Sequence, residues 1–429
     1  MYFLWKKYFE KKEKLNTEIL DVSKEKKTEY ELENQKDKTE YKTEYKTEYK
    51  PIHLKQNIKH IVLSGGAAGG LYIYGALKTA HQNGLWKYEN IETLWGTSAG
   101  ALICVIIALN IEWGVLDDYF IKRPWKSVFK LNWLDLWNEK GIMGPKTIKE
   151  IMSSLFQANE IPLNINLEDF CKLTGKELHL FTTELDMEEC MFHLIDLNPI
   201  THPKWLVLDA IYASCCLPLI FKPHEMIDVC IGGEDASGNS RIYLDGGILS
   251  AFPFNYCIKY PGIIEEEVMG IYLNKWENVF PSIKKTKPLN EMNLFNFMKI
   301  FSSSVFNYTD KTGRQPPKSE KALLIKLVVD MYDRFDIKIV KTEEKRAEYI
   351  ERGSEMFYHF CRTYDELMDV KKSVDESVDV IVDESVDESV EKNKDTSNLS
   401  NLVSLKYSDH MDNVHEFENK NDSKVSNVF

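Results

Sequence analysis

Gly96-Thr97-Ser98-Ala99-Gly100 stands between a short strand-like run, Ile91–Trp95, and the segment Ala99–Leu109, which carries no charged side chain. Gly-x-Ser-x-Gly is the spacing of a nucleophile elbow. A serine hydroxyl projects from a tight strand-to-helix turn, and the glycines stand where a side chain would strike neighbouring backbone. The pattern alone is common; the strand before it and the helix after it give it weight. A helix N-terminus beside the serine also favours the negative charge that develops in acyl transfer. A helix apolar on every side belongs in an interior, so Ala99–Leu109 is expected against the sheet in the middle of the domain.

One unit upstream the same rhythm occurs. Ile58–Ser64 reads as a short apolar strand, Gly65–Gly70 as a glycine-rich turn, and Leu71–Asn83 as a helix stopped by Gly84. Strand, turn, helix, repeated, predicts an α/β fold with a mostly parallel sheet and helices on both faces. The turn Ser64-Gly65-Gly66-Ala67-Ala68-Gly69-Gly70 has three readings. A nucleotide phosphate loop would want Gly-Lys-Ser/Thr or a clean Gly-x-Gly-x-x-Gly, and neither is present. An oxyanion hole for a reaction at Ser98 needs backbone N–H groups converging on an anion, which small residues permit. Close packing of helix on strand also asks for small residues.

Downstream, Tyr243-Leu244-Asp245-Gly246-Gly247 ends a strand-like run in a carboxylate followed by two glycines. An ordinary carboxyl titrates near ~4 and is a feeble base unless burial or geometry helps it. Read alone, the segment is an ordinary Asp-Gly turn.

In this order the three elements resemble the patatin-like phospholipases. That family has a glycine-rich oxyanion loop one βα unit before Gly-x-Ser-x-Gly, and Asp-Gly-Gly or Asp-Gly-Ala well downstream. Further segments are similar to it: Gly141-Ile142-Met143-Gly144, the strand end Thr183-Glu184-Leu185, Ala213-Ser214-Cys215-Cys216-Leu217-Pro218 with Phe221 and Pro223, and Asp245 to Pro253. The likeness covers about Lys59 to Asn274. It implies a three-layer α/β/α domain and a lipid acyl hydrolase of the phospholipase A type, working through a Ser–Asp dyad without histidine. Ser98 then resembles the nucleophile and Asp245 its base. Gly65, Gly66 and Ala67 resemble the oxyanion donors, and Gly70, Gly96, Gly100, Gly246 and Gly247 the motif glycines. The implied substrate is a membrane phospholipid or another acyl lipid, met by peripheral contact with the bilayer.

The chain departs from the family's Gly-Gly-Gly-x-Arg/Lys-Gly loop. Ala67 stands at the third glycine and Gly69 where the basic residue stands. A β-carbon at residue 67 is tolerated at negative φ and strains the hole at positive φ. The altered loop keeps a non-catalytic lipid-binding protein open as an alternative. A Ser–Asp–His esterase acting on small soluble esters is another, with His359 as the histidine. The setting Met356–Cys361 reads instead as a packed helix around a structural histidine.

The rest of the chain adds bounds. Its 429 residues are 43% hydrophobic and carry a formal net charge of −13, which suits a globular core and argues against sequence-independent nucleic-acid binding. Eight cysteines form no C-x-x-C pair and read as buried free thiols of a reducing compartment. No His/Asp cluster has ligand spacing, so no metal or other cofactor is expected. Met1–Trp5 is too short an apolar run for a secretory signal, and nothing reaches the ~18 apolar residues of a membrane span. An intracellular protein, membrane-associated when acting, is expected. Residues 1–56, with Lys-Thr-Glu-Tyr repeated at Lys27, Lys38, Lys42 and Lys46, form a charged low-complexity extension whose aromatic first ten residues are a candidate surface anchor. Residues 57–364 are the expected catalytic domain, with motifs in 59–274 and a helical part at 289–364. Residues 365–429, with Ser-Val-Asp-Glu at Ser373 and Ser385, are an expected acidic disordered tail. Trp125, Phe129, Trp133 and Trp137 recur every four residues, as a buried helix face or as a lid at the site mouth. Gly232 to Ser240 reads as the loop of a hairpin between Met226–Ile231 and Arg241–Leu244.

Overall fold

His60–Leu63 is buried at every position, as a parallel strand covered on both faces must be. It is β1 of a computed structural model that describes residues 57–129, 136, 138–187, 189–227, 240–275, 319, 321–329 and 338–384. After β1, a 3-10 turn at Ala67–Gly69 leads into α1 (Gly70–Gln82), and β2 (Thr93–Thr97) leads into α2 (Ala99–Ala108). There follow α3 (Trp113–Lys122), α4 (Trp125–Val128), β3 (Gly141–Met143), α5 (Pro145–Ala158), α6 (Leu167–Thr174), β4 (Glu177–Asp186) and β5 (Met191–Leu197). Then come α7 (Val207–Cys215), β6 (Leu219–Phe221), β7 (His224–Ile227), β8 (Ser240–Asp245), α8 (Phe254–Cys257), β9 (Val268–Lys275), β10 (Leu323–Val329), α9 (Lys338–Lys341) and α10 (Glu343–Glu384).

The main sheet has the order β10-β9-β1-β2-β4-β8-β7, with β5 paired to β4. Pairings from β10 to β4 are parallel; β4–β8, β8–β7 and β4–β5 are antiparallel. The fold is thus the expected α/β domain with a mostly parallel sheet flanked by helices. The uncharged α2 lies in the main core, with Cys104, Val105 and Ile106 fully buried. The expected hairpin is β7–β8, pairing from His224↔Tyr243 to Ile227↔Ser240; Gly232 and its loop lie outside the described residues.

The C-terminal helix joins this core through two glycines. A β-carbon on Gly75 of α1 would come 2.0 Å from the Ile350 carbonyl oxygen, and one on Gly353 of α10 would come 2.1 Å from that of Tyr72. Only glycines let the two backbones cross so closely. Tyr72 and Tyr349 stack beside the crossing with ring centroids 4.5 Å apart.

Contacts divide the chain into two units, Met1–Leu367 and Met368–Phe429, and the motifs all lie in the first. Of the second, the described part is helical as far as Glu384. Helix therefore continues past Tyr364, into a stretch expected to be disordered, as the extension of a helix already nucleated by packing. The 1–56 extension and its aromatic start lie outside the described residues, as do Trp133 and Trp137. Seven described cysteines are free thiols, and no described helix is long and apolar enough to cross a membrane.

Candidate active site

The site is set by what pairs with β4. Along one edge, β4 pairs with β5 from Leu180 to Asp186. Along the other, β2 occupies Glu177 to Phe181 and β8 occupies Thr182 to Leu185. Parallel β2 and antiparallel β8 therefore meet end to end. The residue after Thr97 is Ser98, and the last residue of β8 is Asp245, so the two expected site residues converge at the junction.

Ser98 has φ 54° and ψ −121°, a strained conformation for a side-chain-bearing residue. The flanking glycines make the turn feasible. A β-carbon on Gly96 would lie 2.6 Å from the Ala101 nitrogen, and one on Gly100 2.4 Å from the Leu63 carbonyl oxygen. Ser98 N–H donates to Ser214 Oγ at 2.9 Å, and Ser214 Oγ donates to the Phe181 carbonyl at 2.6 Å. Ser98 Oγ donates to Asp245 Oδ2 at 2.6 Å.

Asp245 is held from four directions. Its backbone N–H donates to the Cys216 carbonyl at 2.9 Å, and its carbonyl accepts from Thr183 Oγ1 at 3.0 Å. Gly247 N–H donates to Oδ1 at 2.7 Å, and Ser98 Oγ takes Oδ2. The side chain is 4% exposed. Burial pushes its pKa up to about 6, against the opposing pull of the Ser98 and Gly247 hydrogen bonds. A base that titrates there is ionised at neutral pH yet basic enough to take a hydroxyl proton in a transition state.

The three expected oxyanion donors differ. Gly65 N–H is taken by the Ala251 carbonyl at 2.7 Å, so Gly65 is not available as a donor. Its place is structural: a β-carbon there would come 3.2 Å from Ser98 Cβ. Among the described residues no backbone carbonyl takes the N–H of Gly66 or Ala67, which are half-buried and exposed respectively. Ala67 has φ 48°, so the substitution for glycine does carry strain. Gly70 and Gly246 are packing positions, with β-carbons that would lie 3.1 Å from Ala99 Cβ and 2.2 Å from the Phe181 carbonyl oxygen.

An apolar cavity of ≈ 130 Å³ lies beside the loop. Ala67, Ala68 and Leu71 line it from the loop and α1, Ala99 and Leu102 from α2, and Phe120, Trp125, Phe129 and Ile151 from beyond. Trp125 is 7% exposed with its Nε1 donating to the Phe120 carbonyl, which makes it a packed wall residue of this cavity. Ile339, Val340 and Arg346 close it from α9 and α10. The Arg346 guanidinium is anchored on backbone carbonyls, Nε to Ile121 at 2.9 Å and Nη1 to Ile339 at 2.7 Å.

His359 is exposed on α10 rather than packed, and among the described residues no histidine bonds Ser98 or Asp245. One group of ligand-type side chains does gather, unlike the sequence expectation: Asp186, Glu189 and His193, with donor atoms within 4.8 Å of one another. The turn between β4 and β5 brings them together, which linear spacing did not reveal. Sequence reasoning also gave Ser214 and Thr183 no role. Both lie inside the segments that resemble the family, but their hydrogen bonds depend on tertiary pairing that the sequence does not display.

Residues 61–258 match the family model for patatin-like phospholipase. This part of the chain is similar to the patatin-like phospholipases. The chain is 27% identical over 208 residues to a probable lipid hydrolase of Invertebrate iridescent virus 6, and 23% identical over 172 residues to a triacylglycerol lipase of Arabidopsis thaliana. These matches cover 47% and 39% of this chain but 64% and 20% of the relatives, less than two thirds of either. Among solved structures, VipD from Legionella pneumophila aligns over 73% of this chain and 69% of that chain, with 15% identity and a TM-score of 0.38.

Proposed function

We propose that the chain is a serine hydrolase that cleaves acyl esters of membrane lipids through Ser98 and Asp245. The hydrogen bond from Ser98 Oγ to the buried Asp245 carboxylate carries this reading. As Oγ bonds to the ester carbonyl carbon, its proton passes to Asp245 Oδ2, and the carbonyl oxygen becomes an oxyanion facing the N–H groups of Gly66 and Ala67. Collapse of that intermediate expels the alcohol, which takes the proton back from Asp245. Water then attacks the acyl-enzyme with Asp245 again as base, releasing the fatty acid and restoring Ser98.

Two further observations support lipid as the substrate. The cavity beside Ala67 and Ala99 is lined almost wholly by apolar side chains and suits a hydrocarbon chain. The family model is that of patatin-like phospholipases, and the two named relatives are a lipid hydrolase and a lipase. Exposed His359 gives no support to a Ser–Asp–His triad.

An alkyl fluorophosphonate tests the nucleophile. One adduct is expected, on the peptide that carries Ser98, and none in Ser98→Ala. An adduct on another serine, or undiminished labelling of Ser98→Ala, contradicts the assignment.

A further inference from the structure

Strand β4 outruns its neighbour β2. Thr97, the last residue of β2, is opposite Phe181, and Asp245 is opposite Thr182, yet β4 continues to Asp186 before it turns into β5. At ~3.3 Å per residue the tip of this hairpin stands roughly 13 Å beyond the level of Asp245, on the sheet edge that carries Ser98. Three large apolar side chains are exposed together at the tip: Met187 at 66%, Met191 at 52% and Phe192 at 47%. A β-hairpin that ends in water with Met, Met and Phe uncovered leaves apolar surface of the kind that marks a docking site.

We propose that the β4–β5 tip, through Met187, Met191 and Phe192, inserts into the interface of a zwitterionic phospholipid bilayer and brings the Ser98 edge down onto it. The proposal rests on the reading of Ser98 as acting on bilayer lipid. Position supplies the first argument, since Ser98 and Asp245 lie at the end of the sheet beyond which this tip extends. Side-chain type supplies the second. Phe and Met are large apolar groups that gain by entering the boundary between headgroups and acyl chains. Charge supplies the third. The tip bears Asp186 and Glu189, with His193 among them, beside the apolar side chains, and Glu184 lower on β4 is paired with Arg241 at 3.1 Å. Carboxylates at the rim repel an anionic surface and face favourably the outermost cationic group of phosphatidylcholine. A bilayer of zwitterionic lipid fits this rim; a strongly anionic one does not.

The test uses the full chain and phosphatidylcholine vesicles in the presence of a chelator, with flotation as the readout. Wild type is compared with a triple variant, Met187→Ser, Met191→Ser and Phe192→Ser, all exposed positions outside the catalytic machinery. The wild type should float, and the variant's partition coefficient should fall about tenfold or more, as loss of three interfacial apolar groups requires. Its hydrolysis of a soluble, monomeric ester should be unchanged while its release of fatty acid from vesicles falls in step with binding. The wild-type advantage over the variant should shrink as phosphatidylserine replaces phosphatidylcholine. Equal flotation of the two proteins would overturn the proposal, as would an advantage that grows with phosphatidylserine. So would a wild type that ignores vesicles and forms a dimer the variant lacks, since the patch would then be an interface between copies. Flotation reads docking without turnover, so a wild type inactive on every ester would defeat the hydrolase reading alone.

Discussion

Thr97 and Asp245 sit opposite consecutive residues of one strand, Phe181 and Thr182 of β4. The Ser98–Asp245 pair is therefore fixed by sheet register, with two strands meeting head-on, and not by the reach of flexible side chains. A rigid origin of this kind keeps the 2.6 Å hydrogen bond formed before substrate arrives.

On the proposed reading, acidification should switch hydrolysis off through Asp245. Its carboxyl titrates at about 6 in the fold, and only the ionised form can take the Ser98 proton. Below that pH, kcat/KM on a neutral soluble ester should fall about tenfold per pH unit. The stability effect has the opposite sense. The folded protein holds the Asp245 proton more tightly than the unfolded chain, whose carboxyl titrates at 3.8, so stability is lost as pH rises from 3.8 to about 6. At neutral pH the ionised, buried group then costs about 3 kcal/mol. Asp245→Asn should lose about a thousandfold or more in turnover. In urea melts it should nonetheless be more stable than wild type at pH 7, with the gain gone below pH 3.8. A variant that is inactive and also less stable at pH 7 would contradict the burial argument.

Ala67→Gly should relieve strain without harming the chemistry. Residue 67 is exposed with φ 48°, where an alanine β-carbon costs about 1 kcal/mol and glycine fits freely. The variant should unfold at higher denaturant concentration by roughly 0.5–1 kcal/mol and keep its turnover within about twofold, since the backbone N–H remains. A destabilised variant would mean that the Ala67 methyl packs in a way its exposure does not suggest.

Ser214 is a positioning residue, because its hydroxyl bridges Ser98 N–H and the Phe181 carbonyl. Ser214→Ala leaves both groups without that partner, which should cost about 1–3 kcal/mol in stability. Since the strained elbow loses its anchor, kcat should fall about tenfold while KM and the pH midpoint set by Asp245 stay put. A fall in binding alone, with kcat intact, would assign Ser214 to substrate contact instead.

The βα rhythm around Gly65 and Gly96 was legible in the sequence, because strand, small-residue turn and uncharged helix each have their own pattern. Ser98 and Asp245 stood out as candidates through motif order, but their hydrogen bond became visible only in the fold. The occupied N–H of Gly65 was not, since its partner Ala251 belongs to a loop far along the chain. The same holds for Ser214, Thr183 and the cavity wall formed by Ile339 and Arg346, which depend on tertiary pairing and leave no periodic trace. The sign of φ at Ala67 was an open alternative that only the folded backbone decides.

The most direct measurement is free fatty-acid release from mixed phospholipid vesicles by wild type and Ser98→Ala side by side. Release by the wild type that disappears in the variant is the expected result. Equal release from both proteins, or none from either, would contradict the claim that Ser98 hydrolyses membrane lipid.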